Sequence, residues 1–124
     1  MNNIVRIRVA QCAKALTDIC HAAAKNAGWW DREKTWETFP RCLTLIHSEI
    51  SEAMEGDRKG LMDDHLTSRP MREVELADAA IRIFDLAGAY DLDIAGAIAE
   101  KLAYNAERAD HKRENRQLSG GKTY

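Results

Sequence analysis

The chain has 124 residues, of which 45% are hydrophobic and 31% are charged, and its formal net charge is −2. This composition is too apolar for a disordered chain and too charged for a membrane-embedded one, so it indicates a single globular domain over residues 1–124. Proteins that coat nucleic acid or bind anionic membranes are usually far more basic. We therefore expect neither a nucleic-acid polymer nor a membrane among its partners.

The N-terminal segment and the cysteines predict a cytoplasmic protein, which means the host cytoplasm if a phage encodes the chain. Lys14 and Asp18 interrupt the apolar residues that follow Arg6 and Arg8, unlike the apolar run of a signal peptide. The cysteines are Cys12, Cys20 and Cys42. An odd count without a CxxC pair predicts neither a disulfide framework nor a zinc site.

The spacing of apolar residues predicts helices along the whole chain. In chain order we expect helices over residues 4–27, 40–55, 70–90 and 93–109, followed by a polar tail over 110–124. Gly28 and Gly56 are placed to end the first two helices, Pro40 suits the first turn of the second, and Asp93 can cap the fourth. No stretch alternates as a strand would. The prediction is an all-α bundle of four to five helices.

The third predicted helix is apolar on nearly every side but carries one charged stripe. Glu75, Asp78, Arg82 and Asp85 follow one another at spacings that place them on a single face. Charges that are buried there are costly unless they are paired or bind a metal. Pairing of Arg82 with Asp78 and Asp85 is one interpretation, but it leaves Glu75 and Asp78 as an unneutralised carboxylate pair.

The second predicted helix has a matching pair. Glu49 and Glu52 lie one turn apart beside its apolar face, and alone they would be interpreted as a solvated surface. Two helices that each carry such a pair can bring four carboxylates together in a bundle. Hard divalent cations such as magnesium prefer oxygen ligands. The sequence therefore predicts a metal site formed by Glu49, Glu52, Glu75 and Asp78.

The fourth predicted helix presents the opposite charge. Its shared face consists of Lys101, Tyr104, Asn105 and Arg108. Considered alone, this is a solvated basic face. Beside a metal site it suits phosphate, because arginine can bind phosphate with two hydrogen bonds, lysine adds a compact charge, and asparagine and tyrosine add further hydrogen bonds.

Taken together, these motifs resemble the all-α nucleoside triphosphate pyrophosphatase superfamily, the MazG-like group. The resemblance lies in ExxE at Glu49 and Glu52, ExxD at Glu75 and Asp78, and the later Lys101, Asn105 and Arg108. The segments LIHSEISEA and ELADAAIRIFDLAG and the GGKTY ending at Tyr124 extend it over roughly residues 26–124. Two departures are Ser48, where the family often has an acid, and extra residues between Arg108 and the GGK element.

The resemblance implies an enzyme that converts a nucleoside or deoxynucleoside triphosphate to the monophosphate and pyrophosphate with Mg²⁺ or Mn²⁺. The four carboxylates would hold the metal ions, which lower the pKa of a bound water, and one carboxylate would accept that water's proton. The resemblance assigns triphosphate binding to Lys101, Tyr104, Asn105, Arg108 and Lys122. It favours a deoxynucleotide with a purine base, such as dGTP.

Trp29, Trp30 and Trp36 precede the second helix and could stack against the base. We expect Trp30 and Trp36 to make this contact, and the alternative is that the tryptophans plug the end of the bundle. The histidines predict no competing site. His21 suits a satisfied core residue, and Asp63, Asp64 and His65 fall in a polar segment typical of a solvated loop.

The apolar surface of the third helix also predicts an oligomer. A helix that is apolar on every side except one stripe has to be covered on its outer side, and in a short chain another subunit can do this. The resemblance favours a homotetramer built as a dimer of dimers. The alternative functions are a di-iron carboxylate bundle, which typically needs Glu-x-x-His pairs, a phosphoribosyl-ATP pyrophosphatase, and a non-catalytic helical scaffold.

Overall fold

The computed structural model describes residues 1–123, where it has helices, connecting loops and no strand, apart from one isolated bridge between Met62 and Pro70. Its helices are α1 (Asn3–Asn26), α2 (Thr38–Lys59), α3 (Met71–Ala89), α4 (Ile94–Glu107), a 3₁₀ turn (Ala109–His111) and the short α5 (Arg113–Arg116). The all-α class and the number of helices predicted from the sequence are confirmed. No helix within residues 1–123 is both long enough and apolar enough to cross a membrane.

The chain forms two compact units. One comprises Leu16–Leu92 and therefore contains the C-terminal half of α1 together with α2 and α3. The other comprises Met1–Ala15 and the chain from Asp93 onward, with α4 and α5. The carboxylate motifs belong to the first unit and the basic face of α4 to the second.

Within the first unit, α2 and α3 pack in antiparallel directions. Near one end, Arg72 at the start of α3 donates a hydrogen bond to Asp57 at the end of α2, over 2.5 Å. Near the other end, the ring of Tyr90 meets that of Phe39 edge to face, with the centroids 5.0 Å apart. The middle turns of the two helices, which hold the carboxylate pairs, therefore face each other.

Gly56, which the sequence predicts to end the second helix, lies inside it. α2 continues to Lys59 and ends at Gly60, whose φ of 62° is the left-handed conformation that glycine adopts readily. A Cβ on Gly56 would lie 2.9 Å from the Cβ of Met71. The prediction for Gly56 is therefore wrong, because this glycine permits the close approach of α2 to the start of α3.

The other predicted helix ends are close to those observed. α1 ends just before Gly28, which has a φ of 83°. α2 begins at Thr38, so Pro40 falls in its first turn, where the missing N–H has no intrahelical partner to lose. Asp93 caps α4, since its Oδ1 accepts a hydrogen bond from the Gly96 N–H over 2.9 Å.

Small residues make up most of the buried core, and no large side chain among the described residues is fully buried. The buried apolar residues are Ala13, Cys20, Ala53, Ala79, Leu86, Ala87, Ala89, Ala95 and Ala99. Large apolar side chains on α3 stay exposed in the single chain, among them Leu76, Ile81 and Ile83. The outer side of α3, which the sequence predicts to be covered by another subunit, is therefore exposed within one chain.

Candidate functional site

Three carboxylates from α2 and α3 converge where the two helices face each other. Glu49, Glu52 and Glu75 each present an oxygen, and these oxygens all lie within 4.8 Å of one another. Glu49 and Glu75 are buried, whereas Glu52 is exposed. This carboxylate cluster brings together three of the four residues that the sequence predicts as metal ligands, and its donors are oxygens only.

Asp78, the fourth predicted ligand, lies one turn after Glu75 on α3 and is exposed. Partial burial raises the pKa of its carboxyl, and the negative charge of Glu49 raises it further. The positive charge of Arg82 acts in the opposite direction. Asp78 therefore lies within the electrostatic field of the cluster, at its exposed side.

The crowding of like charges is felt most strongly at Glu75. Burial raises the pKa of its carboxyl to about 7, helped by the charge of Glu52, a hydrogen bond with Glu49 and the charge of Asp78. At neutral pH the Glu75 carboxyl is therefore partly protonated. A cation that displaced the proton would remove the same repulsion.

Arg82 does not pair with Asp78 and Asp85 as one interpretation of the sequence proposed. Its Nε donates a hydrogen bond to Glu49 Oε1 over 2.5 Å, so it joins α3 to α2. Asp85 has other partners, as described next. The correction has a tertiary cause: α2 packs against the stripe of α3 and offers Arg82 a buried carboxylate.

Asp85 is the centre of a second arrangement, which joins α1, the segment after it, and α3. Its Oδ1 accepts hydrogen bonds from His21 Nδ1–H over 2.9 Å and from Trp30 Nε1–H over 2.8 Å. The approach is possible because Gly88 has no side chain, since a Cβ there would lie 2.5 Å from the Cβ of His21. His21 is thus a satisfied residue, in agreement with the sequence interpretation.

His21 and Trp30 also border a cavity of about 310 Å³, which we call the Trp30 pocket. Its lining residues are His21, Lys25, Trp30, Asp31 and Lys34. Of these lining residues, the sequence predicts only Trp30 as a site residue. The ammonium group of Lys34 lies 5.7 Å from the Trp30 ring and 4.9 Å from the Tyr90 ring. The charged end of the predicted α3 stripe at Asp85 and the density of tryptophans were the signals for this pocket.

The three tryptophans have different environments. Trp30 is half-buried and packs edge to face against His21, with the ring centroids 6.0 Å apart. Trp29 and Trp36 are 79% and 85% exposed, so neither plugs the helical core of this chain. Of the two tryptophans predicted to contact a base, only Trp30 lines the pocket.

The predicted phosphate-binding residues of α4 share a face in the structure. The Nζ of Lys101 lies 4.8 Å from the ring centroid of Tyr104, and the Arg108 guanidinium lies 5.8 Å from the same centroid. The side-chain oxygen of Asn105 is buried without a hydrogen-bond partner among residues 1–123. Arg108 makes two hydrogen bonds with Asp110, of 2.9 and 2.6 Å.

The two remaining sequence features lie in loops. Lys122 is exposed, and its backbone carbonyl accepts a hydrogen bond from Arg116 over 3.2 Å, while Tyr124 of the GGKTY element lies outside the described residues. Asp63 accepts hydrogen bonds from the backbone N–H groups of His65 and Leu66, which lowers the pKa of its carboxyl. The carboxylate of Asp63 thus shapes the turn.

Comparison of the chain with protein-family models, with curated proteins and with solved structures finds no match. The features that bear on function are therefore the carboxylate cluster, the Trp30 pocket and the motif resemblance.

Proposed function

We propose that this protein is a metal-dependent nucleoside triphosphate pyrophosphohydrolase, which releases pyrophosphate and a nucleoside monophosphate. The observation that carries the proposal is the convergence of Glu49, Glu52 and Glu75, whose oxygens lie within 4.8 Å of one another between α2 and α3. Carboxylates at this separation repel each other unless a proton or a cation intervenes. An oxygen-only donor set fits Mg²⁺ or Mn²⁺.

Asp78 completes the proposed ligand set from the exposed side of the cluster. A divalent cation held by these residues would supply a bound water of lowered pKa and would neutralise charge on the phosphates. One of the four carboxylates accepts the proton of the attacking water. Because Glu75 is partly protonated near pH 7, cation binding requires the loss of this proton.

The Trp30 pocket supports a nucleotide as the substrate. Asp85, which orients Trp30, lies on the same stripe of α3 as Asp78, seven residues later, a distance of roughly 10 Å along the helix. A triphosphate at the carboxylates and a base against Trp30 would span this distance. The proposed base is a purine of a deoxynucleotide such as dGTP, on the strength of the motif resemblance, and Trp36 remains a proposed contact.

The proposal also assigns phosphate binding to the basic face of α4. Lys101, Tyr104, Asn105 and Arg108 supply the donors, and Lys122 adds a further charge. Arg108→Ala should weaken triphosphate binding about tenfold, because a charge-assisted contact is lost, while leaving cation affinity unchanged. Calorimetry with nucleotide and manganese titration followed by spectroscopy measure the two separately. Equal losses of both would assign Arg108 to the fold instead.

We propose a homotetramer, a dimer of dimers, that acts in the cytoplasm of the cell or of a phage host. The support is the exposed apolar surface of α3, with Leu76 at 54% and Ile81 at 49% exposure, together with the exposed Ile50 and Met54 on α2. Exposed apolar surface of this kind marks an interaction site. Light scattering after size exclusion at low micromolar concentration tests this, and an active particle of monomer mass would contradict it.

The experiment that tests the function is a panel of the eight common nucleoside triphosphates with Mg²⁺, in which monophosphate and pyrophosphate are quantified separately. We expect turnover of at least one deoxynucleotide, with equal amounts of the two products. Release of orthophosphate would contradict the proposed reaction. The absence of turnover, together with no increase in melting temperature on adding Mg²⁺ and nucleotide, would favour the non-catalytic scaffold.

A further inference from the structure

Arg82 is the one charged residue of the α3 stripe that the proposed function leaves without a role. Its Nε is hydrogen-bonded to Glu49 Oε1 over 2.5 Å, and Glu49 is 10% exposed at its side chain. The guanidinium does not lose its proton in proteins, so it is a permanent positive charge on a carboxylate of the cluster. It therefore holds one of the two oxygens of a carboxylate that the proposed cation would bind.

The rest of the guanidinium is available for another partner. The Arg82 side chain is 43% exposed, and its two Nη groups have no hydrogen-bond partner within residues 1–123. Asp78, one turn earlier on the same face, feels its positive charge. The half-exposed guanidinium therefore keeps donors that an anion approaching from solvent can accept.

We propose that Arg82 exchanges partners, holding Glu49 while no cation is bound and binding a phosphate oxygen of the nucleotide once a divalent cation has taken over the Glu49 carboxylate. This proposal deepens the proposed function and rests on it. A cation and a guanidinium repel each other, so they compete for the same carboxylate. Arginine is the side chain whose planar group fits both a carboxylate and a phosphate.

The exchange has a signature that a structural salt bridge lacks. Removal of the positive charge removes a competitor for Glu49, so cation affinity rises by at least about fivefold, the effect of two unit charges about 4 Å apart in bulk water. The same change removes a phosphate ligand, so nucleotide affinity falls about tenfold. A residue that only supports the fold would lower both affinities.

The test uses Arg82→Gln and Arg82→Lys in the full-length protein, with Arg72→Gln as the matched control. Arg72 also joins α3 to an acid of α2, Asp57, but at an exposed position outside the cluster. Mn²⁺ affinity is measured by electron paramagnetic resonance without nucleotide. Binding of a triphosphate with a non-hydrolysable α–β bridge is measured by calorimetry at saturating Mg²⁺.

We expect Arg82→Gln to bind Mn²⁺ more tightly and the triphosphate analogue more weakly. Arg82→Lys keeps the charge but loses the planar donors, so its Mn²⁺ affinity should stay near that of the wild type while analogue binding falls. Arg72→Gln should leave both affinities unchanged. The opposite movement of the two affinities in Arg82→Gln is the result that supports the exchange.

A fall in Mn²⁺ affinity in Arg82→Gln would overturn the proposal, because Arg82 would then orient Glu49 for the cation instead of competing with it. Unchanged analogue affinity would overturn it as well. These failures differ from a failure of the proposed function, in which the wild-type protein itself binds neither Mn²⁺ nor the analogue and hydrolyses no triphosphate.

Discussion

The carboxylate cluster and the Trp30 pocket lie in the same unit of the protein, but acidic groups crowd together in the cluster and are matched by hydrogen-bond donors beside the pocket. In the cluster, helix packing buries Glu75 among like charges, and burial, helped by their repulsion, raises the pKa of its carboxyl to about 7. Beside the pocket, the carboxylate of Asp85 is matched by two donors, from the lining residues His21 and Trp30. Unbalanced charge suits a site that binds a cation, whereas balanced hydrogen bonds suit a rigid wall.

The comparison predicts that substitutions act on activity in the cluster and on stability in the pocket. In the cluster, neutralising a carboxylate removes repulsion and deletes a proposed ligand. Beside the pocket, removing Asp85 leaves two half-buried donors without an acceptor.

Glu52→Gln should abolish turnover while the helical fold is retained, with at least about a hundredfold loss of kcat, or about 2.7 kcal/mol of barrier stabilisation. The reason is that Glu52 is the most accessible oxygen donor of the three-residue cluster. Asp78→Asn should have the same effect. Steady-state kinetics with separate quantification of pyrophosphate, and circular dichroism for the fold, are the measurements.

Glu55→Gln is the matched control for this experiment. Glu55 lies on the same helix, and it pairs with Lys59 and Arg58 at the surface, away from the cluster. It should retain full activity. If Glu52→Gln or Asp78→Asn keeps more than about a tenth of wild-type activity, the loss is under 1.4 kcal/mol, too small for a metal ligand.

Asp85→Ala should destabilise the protein by about 2 kcal/mol, because His21 and Trp30 each lose their acceptor. Asp85→Asn keeps an acceptor oxygen and should cost about half as much. Urea unfolding in Mg²⁺-free buffer measures the difference, at one protomer concentration because oligomer stability depends on it. A change below about 0.5 kcal/mol for Asp85→Ala would remove the contrast between the two regions, since it is typical of ordinary surface positions.

Glu75→Gln should change how the stability of the metal-free protein depends on pH. The folded-state pKa of Glu75 lies near 7, above its ordinary value of 4.5, so the folded protein binds the proton more tightly than the unfolded chain. Stability that is present below about pH 4.5 is therefore lost as the pH rises through 7, by up to about 3 kcal/mol. The variant, which cannot titrate there, should lose less over this range.

The measurement is urea unfolding of both proteins at several pH values between 4.5 and 8 in a metal-free buffer. Added Mg²⁺ should reverse the trend in the wild type, because cation binding favours the ionised carboxylates. Identical pH profiles for wild type and Glu75→Gln would show that the folded protein does not raise the pKa of Glu75.

Trp30→Phe should have the smallest effect, a loss of about 1 kcal/mol, because Asp85 loses one of its two donors while most of the aromatic packing remains. Trp29→Phe is the control, since Trp29 is largely exposed and should change stability little. If the two variants lose stability equally, the hydrogen bond to Asp85 does not hold Trp30 in place. Nucleotide binding to Trp30→Phe tests the proposed base contact separately.

The sequence alone determined the helices and both carboxylate pairs, because these depend on local spacing. The spacing of Glu49 with Glu52, and of Glu75 with Asp78, places each pair on one face of its helix in any packing. When α2 and α3 pack in antiparallel directions with these faces towards each other, the carboxylates meet. Asp93 as a cap is equally local, since its acceptor serves the N–H of Gly96.

The partners of Arg82 and Asp85, by contrast, depend on the packing of distant segments. Arg82 pairs with Glu49, which is 33 residues away, instead of with Asp78 or Asp85 on its own helix. His21 and Asp85 are 64 residues apart, and their contact depends on the missing side chain at Gly88. Gly56 likewise serves a helix contact and not a helix end, because a glycine's lack of a Cβ suits both roles and only the neighbouring helix distinguishes them.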